Sequence, residues 1–146
     1  AAEAFAGKLS VGSTLRIRAD VAVDGVSTPI LAQNSTMYHL LDNGVDKNLA
    51  SSVYDPMTYV GVDQPGTKVY FFVIDGRQSW VSMGVKFYEM VRIAQKFGCW
   101  NVTRFDGGGS TTMWLYTDGE GKVVNKPSDS KGERSCMNYM HVRIKK

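Results

Sequence analysis

The chain has 146 residues, of which 43% are hydrophobic and 11% aromatic, so it is long enough to bury one core and too short for two. A net charge of +3 spread along the sequence does not indicate a nucleic-acid partner, and no apolar run approaches the roughly 20 residues that a membrane-spanning helix needs. Cys99 and Cys136 lack the spacing of a structural zinc site, and we favour free thiols over one disulfide. We therefore expect a single domain.

Extended segments are predicted in the first third of the chain. Residues 12–24 alternate apolar and polar side chains, which is typical of a half-buried strand. A second extended region covers residues 28–32 and 37–41 and ends at the turn signal Asp42-Asn43-Gly44.

The middle of the chain predicts a β-hairpin followed by a helix. Residues 58–62 and 69–74 are rich in β-branched and aromatic side chains, and the Pro65-Gly66 pair between them favours a tight turn. Since VYFFVI at 69–74 is apolar on both faces, we expect this strand in the centre of the sheet. Apolar residues of 84–97 then recur at helical spacing, and Gly98 is a stop signal.

Further strands are predicted after the helix, at residues 100–105, 111–116, 123–124 and 141–144, with a turn at 118–121. Strands on both sides of one main helix predict an α+β fold built on a mixed, mostly antiparallel sheet.

Two carboxylates stand where apolar strands stop. Asp75 follows VYFFVI, and Asp106 follows NVTRF. If the two strands are neighbours, both acids face one crevice at the end of the sheet. Gly76 and Gly107 come next, and a residue without Cβ lets a ligand approach the main chain beside each carboxylate.

A glycine-rich segment extends from the second acid. Gly107, Gly108 and Gly109 are followed by Ser110 and Thr111, and backbone donors with hydroxyls suit an anion or a sugar hydroxyl. The segment is no nucleotide-type phosphate loop, because no GK[ST] follows and the next residues predict a strand.

Simpler interpretations exist for each of these features. The glycine-rich segment can be an ordinary hairpin loop, Asp75-Gly76-Arg77 a turn with a local ion pair, and Glu133-Arg134 a surface pair. We expect His39 and His141 to be structural or exposed.

Taken together, five ordered motifs over residues 30–146 resemble the phosphodiester glycosidase family. They are Asp75-Gly76-Arg77, Ser82-x-Gly84, Asp106 to Ser110 with Thr112-Met113, Asn125-x-Pro127-Ser128-Asp129, and Glu133-Arg134. The resemblance implies hydrolysis of a sugar-1-phosphodiester to free sugar and phosphomonoester, a phosphorylated carbohydrate substrate, and a secreted or cell-envelope location. We predict no cofactor, and the sequence leaves a metal requirement open.

The sequence departs from the family pattern in two places. It contains no upstream Asn-Gly-Gly-Phe-Phe type segment, so we expect residues 1–146 to be the C-terminal portion of a larger domain, whose first part was removed or is supplied by another polypeptide. Met57 stands where the family tends to have arginine, which leaves Arg77 or Arg134 as the cation for a phosphate.

The resemblance implies roles for the candidate residues. Asp75 and Asp106 are the carboxylates near the sugar, one of them a base or nucleophile. Arg77 and Arg134 neutralise the phosphate, while residues 107–111 donate hydrogen bonds and Glu133 accompanies Arg134 in the substrate-binding set.

Two other functions are compatible with the sequence. One is a non-catalytic glycan-binding or envelope module, in which exposed aromatic residues such as Trp80 and Trp114 stack on sugars. The other is a phosphodiesterase that attacks phosphorus, assisted by a metal held by Asp75, Asp106 and Asp129.

Overall fold

A computed structural model of the chain describes residues 22–23, 26–27, 38–136 and 139–142. Contacts divide the chain into two compact units, residues 1–34 and 35–146. In the first unit, strands β1 (Ala22–Val23) and β2 (Val26–Ser27) pair in antiparallel fashion. The strand predicted over 12–24 falls on described residues only at 22–23, and the segment predicted at 28–32 lies outside them.

The second unit is built on a five-stranded sheet with the order β4-β3-β7-β5-β6, in which every neighbouring pair is antiparallel. Its strands are β3 (Tyr38–Asp42), β4 (Val45–Asp46), β5 (Met57–Asp63), β6 (Val69–Ile74) and β7 (Cys99–Gly107). The turns predicted at residues 42–44 and 65–66 are confirmed. Asn43 and Gly44 have φ of 51° and 77°, as a tight hairpin turn requires, and Gly66 has φ of 68° between β5 and β6.

Helix α1 (Phe87–Lys96) covers one face of this sheet. It begins inside the predicted 84–97 because the Glu89 carboxylate accepts a hydrogen bond from the Lys86 amide at 2.8 Å, which satisfies a free donor at the helix start. Gly98, with φ of 79°, ends it. Four helix residues join the apolar core with residues of β3, β5 and β7: Phe87, Met90, Val91 and Ala94. The α+β prediction is confirmed.

The expected central position of β6 is wrong, because β6 is an edge strand. One side of β5 pairs with β7 and the other with β6, and no described strand pairs with the outer edge of β6. Val69 and Phe71 are exposed there. Apolar residues on both faces of a strand indicate only that the strand is hydrophobic. Whether it lies in the centre or at the edge of the sheet depends on which strands pair with it.

The chain after β7 differs most from the predictions. Residues 107–110, which we call the glycine turn, close β7 and form one short 3-10 turn, and the predicted strand at 111–116 begins only at Trp114. Strands β8 (Trp114–Thr117) and β9 (Glu120–Val123) form a separate two-stranded ribbon, so residue 123 does not continue the main sheet. The glycine turn is therefore no hairpin loop between paired strands.

Three smaller predictions complete the comparison. Residues 141–142 are not in a strand, and 143–144 lie outside the described part of the chain. Cys99 is a buried and Cys136 an exposed free thiol, as expected. Within the described ranges, no helix has the length and hydropathy to cross a membrane.

Candidate functional site

The two candidate carboxylates lie at the same end of the main sheet, where strands β6 and β7 both stop. Met57, at the start of β5, lies opposite Ile74 of β6 and opposite Gly107 of β7. Both strands are antiparallel to β5, so they run in the same direction and both end at this row. The sequence analysis left open whether the two strands are neighbours. They are not, because β5 lies between them and separates the two backbones by roughly 10 Å.

A β-bulge sets the direction of Asp106. Between Tyr59 and Met57, β5 contributes one residue where β7 contributes two, since Tyr59 pairs with Arg104 and Met57 with Gly107. An extra residue bends the strand and redirects side chains, and bulges of this kind are common beside active sites. Asp106 is exposed at this point, and no hydrogen bond from another described residue reaches its carboxylate.

The glycine turn packs directly on the residue before β5. The Gly108 amide donates to the Pro56 carbonyl at 2.8 Å, and the Thr111 amide donates to the Gly108 carbonyl at 3.1 Å. A Cβ on Gly107 would lie 2.7 Å from the Pro56 carbonyl oxygen, so glycine is required there for close approach. Two of the backbone donors that the sequence assigned to a ligand are thus used within the protein.

Two guanidinium groups lie over consecutive glycines of this turn. The position of a Cβ on Gly108 is 3.1 Å from Arg77 Nη1, and that of a Cβ on Gly109 is 2.6 Å from Arg134 Nη2. Both arginine side chains are about half exposed. The absence of side chains at Gly108 and Gly109 is what allows both cations to reach the backbone.

Each of these arginines is held by a carboxylate through its Nε atom. Arg77 Nε donates to Asp55 Oδ1 at 2.8 Å, and Arg134 Nε donates to Asp129 Oδ2 at 2.6 Å. The hydrogen bond from Arg134 lowers the pKa of Asp129, and the charge of Arg77 adds to this effect. The pKa of Arg134 is raised, first by Asp129 and in smaller part by Asp106. The charges of Arg77, Arg134, Asp106 and Asp129 therefore form one interacting group.

Arg77 also has an unusual backbone conformation, with φ of 56°. Left-handed φ values are uncommon for residues other than glycine, and they concentrate where the surrounding structure holds a side chain in place. The pairing with Asp55 and the contact with Gly108 are two such constraints.

Asp75 is engaged differently from Asp106. Its Oδ1 accepts a hydrogen bond from Asn125 Nδ2 at 2.9 Å, and the Lys126 amide lies 3.0 Å from each carboxylate oxygen. Asn125 also donates to the Thr111 carbonyl at 3.1 Å and accepts from the Met113 amide at 2.8 Å. Asp75 and Asn125 thus connect the end of β6 to the chain that leaves the glycine turn.

The side chains of the remaining candidate residues take little part in these contacts. Ser110 is half-buried in the 3-10 turn, and Thr111 is buried, with a hydroxyl that has no hydrogen-bond partner among the described residues. Glu133 is exposed and forms no ion pair with another described residue.

No metal-binding cluster forms in the described part of the chain, where no three His, Cys, Asp or Glu side chains converge. Asp75, Asp106 and Asp129, the ligands that a metal-assisted reaction would need, are not gathered around one point.

The sequence interpretation missed Asp55 and Asn125 as site residues. Asn125 belongs to the matched motif Asn125-x-Pro127-Ser128-Asp129, and this was a usable signal. Asp55 precedes Pro56 in what looks like a simple turn, and nothing in the sequence relates it to Arg77, 22 residues later.

The sequence matches a known protein family. The family model described as phosphodiester glycosidase matches residues 6–143, which is most of the chain. A search of curated proteins gave no match. The match extends beyond the five motifs into the residues before them, and the chain belongs to the phosphodiester glycosidase family.

Proposed function

We propose that the protein hydrolyses the bond between the anomeric carbon of a sugar and the oxygen of a phosphodiester, releasing free sugar and a phosphomonoester. The observation that carries this proposal is the position of the Arg77 and Arg134 guanidinium groups over Gly108 and Gly109, beside the exposed Asp106.

The two arginines supply what this leaving group needs. A phosphomonoester is a weak base, so protonation of the departing oxygen matters less than for an alcohol, and stabilisation of its negative charge matters more. Arginine stays charged and binds phosphate oxygens in a planar, bidentate manner. Because Asp55 and Asp129 engage only the Nε atoms, the Nη groups at the glycine turn can bind the phosphate.

Asp106 is the carboxylate best placed to act on the sugar, as base or as nucleophile. As base, it takes a proton from water while the water oxygen bonds to the anomeric carbon, and the electron pair of the broken bond moves to the phosphate oxygen. Asp75 already accepts hydrogen bonds from Asn125 and Lys126, so we propose that it holds in place the chain segment that leaves the glycine turn.

The test is turnover of the methyl diester of an α-hexose 1-phosphate, with free sugar and methyl phosphate as products. We expect Asp106→Asn to lower kcat about 10²-fold to 10⁴-fold, the range for loss of a group that transfers a proton. Asp118→Asn is the matched control, because Asp118 lies in the turn of the β8–β9 ribbon and its φ of 54° suits asparagine. Turnover by Asp106→Asn at the parent rate would contradict the assignment.

One further part of the proposal rests on the family resemblance alone. We propose a secreted or cell-envelope location, because members of the family look secreted or lumenal.

A further inference from the structure

Each arginine at the glycine turn shares its position with a carboxylate. A Cβ on Gly109 would lie 2.6 Å from Arg134 Nη2 and 2.7 Å from Asp129 Oδ2, so a positive and a negative group meet the turn at the same point. Asp55 accepts from Arg77 Nε at 2.8 Å, and its side chain is only 20% exposed. An anion that approaches either guanidinium group therefore also approaches a carboxylate.

Around the turn, carboxylates outnumber cations. Arg77 and Arg134 face Asp55, Asp129 and the exposed Asp106, so this group of side chains carries a net negative charge. The hydrogen bond from Arg134 lowers the pKa of Asp129, which keeps this carboxylate ionised at mildly acidic pH. The charge of Asp106 acts on Arg134 and therefore belongs to the same group. A phosphate that binds here adds its charge to a site that is already negative.

Other charged residues nearby do not alter this balance. Arg104, on the same strand as Asp106, lies over the rings of Tyr38 and Phe87 instead. The remaining charges of residues 75–77 and 125–134 come as pairs of opposite sign: Asp75 with Lys126, and Lys131 with Glu133. The charge at the turn is therefore set by the two arginines and the three carboxylates.

The charge of the bound phosphate changes during the proposed reaction. A diester carries one negative charge, whereas a phosphomonoester loses a second proton with a pKa of about 6. Two arginines that are already paired can accept one charge, but a second charge is repelled by the surrounding carboxylates. With Asp106 as base, cleavage moves a proton from water to Asp106 while the phosphate becomes a dianion, so the total charge of site and ligand stays the same.

We propose that Asp55 and Asp129 prevent the site from retaining its own product: the phosphomonoester binds together with one additional proton and leaves when that proton is lost to solvent. This inference rests on the proposed function. Directly after cleavage the proton is on Asp106, and its loss leaves the phosphate dianion facing three ionised carboxylates. Their repulsion favours release of the product. The two carboxylates thus act on product release as well as on the position of the arginines.

The test compares the binding of methyl phosphate and dimethyl phosphate by titration calorimetry between pH 5 and pH 8. If methyl phosphate binds only with its second proton, its dissociation constant rises about tenfold for each pH unit above about 6. We expect a rise of at least about tenfold between pH 6 and pH 8, with uptake of about one proton per bound methyl phosphate at pH 8. Dimethyl phosphate has no second proton to lose, so its dissociation constant should stay the same.

Asp129→Asn and Asp55→Asn separate the charge of each carboxylate from its hydrogen bond, because asparagine keeps an oxygen that can accept from the arginine Nε. Each variant should lower the dissociation constant of methyl phosphate at pH 8 about threefold to tenfold, the effect of removing one nearby charge in a solvated site. Asp63→Asn is the matched control, since it removes the same charge at the other end of β5, where Asp63 accepts hydrogen bonds from Thr67 and Lys68. It should leave both affinities unchanged.

The inference is overturned if the rise for methyl phosphate is smaller than expected, if dimethyl phosphate shows the same pH dependence, or if neither anion binds. It is also overturned if both asparagine variants weaken the binding of methyl phosphate, since the carboxylates would then serve only to hold the arginines. Turnover of the methyl diester is measured separately. Without turnover the proposed function fails, while the expected pattern of anion binding would still support the role of the two carboxylates at the phosphate site.

Discussion

Asn125→Ala is the substitution whose effect follows most directly from the geometry. It removes a charge-assisted hydrogen bond to Asp75 at 2.9 Å and two bonds to the backbone, at the Thr111 carbonyl and the Met113 amide. A bond to a charged group contributes about 1.5–3 kcal/mol and a neutral one about 0.5–1.5 kcal/mol. Because the three groups are only partly buried and water can replace some of these bonds, we expect a loss of about 2–4 kcal/mol in the free energy of unfolding.

Asn125→Asp gives the same prediction a sharper form. The new carboxylate can still accept from the Met113 amide, but it faces the Asp75 carboxylate and repels it. This repulsion raises the pKa of the pair in the folded state, so the deficit in stability is largest at neutral pH and shrinks as the pH falls toward 4 and a proton is bound.

Thermal unfolding measured between pH 4 and pH 8 checks both variants. For a domain of this size, a loss of 2–4 kcal/mol corresponds to a fall of roughly 6–16 °C in Tm. The reasoning is refuted if Asn125→Ala unfolds within about 2 °C of the parent, or if the deficit of Asn125→Asp does not depend on pH.

Three further predictions concern single groups. The hydroxyl of Tyr59 is buried without a hydrogen-bond partner among the described residues, and burial raises its pKa to about 12. Tyr59→Phe should therefore stabilise the fold by about 1–3 kcal/mol. In the parent, stability should fall between pH 10 and pH 12, because the tyrosine ionises in the unfolded chain at about pH 10 but not yet in the folded protein. Unfolding curves at alkaline pH should show this fall for the parent and not for Tyr59→Phe. Gly109→Ala should displace the Arg134–Asp129 ion pair, since the new methyl group would lie 2.6 Å from Arg134 Nη2 and 2.7 Å from Asp129 Oδ2, and we expect KM for the methyl diester to rise. The hydrogen bond from Arg134 lowers the pKa of Asp129, so the stability that this bond contributes is present above the ordinary carboxyl pKa and is lost as the pH falls through the lower folded value. Carboxyl NMR of Asp129 should show the lowered pKa, and Arg134→Gln should remove most of the shift and leave the smaller effect of the Arg77 charge.

Local patterns in the sequence predicted the local elements well. The β5–β6 hairpin follows from the Pro65-Gly66 turn between two β-branched runs, and α1 follows from helical spacing that stops at Gly98. Both depend on residues within a few positions of one another. The placement of β6 at an edge depends instead on how β5 pairs with β7, and periodicity carries no information about that choice.

The same distinction applies to the candidate site. Sequence patterns placed Asp75 and Asp106 at strand ends and recognised the glycine turn, because each is marked by its immediate neighbours. They could not assign Asp55 to Arg77 across 22 residues, nor Asn125 to Asp75 across 50. Such pairs arise only when the loops return to the end of the sheet.

The most direct test of the central claim is which bond of the diester breaks. Turnover of the methyl diester of an α-hexose 1-phosphate in ¹⁸O-labelled water, followed by ³¹P NMR of the products, distinguishes attack at carbon from attack at phosphorus. We predict methyl phosphate without ¹⁸O, because water attacks the anomeric carbon and the phosphate keeps all its oxygens. Methyl phosphate that carries ¹⁸O, or a labelled hexose phosphate, would mean attack at phosphorus and would contradict the account.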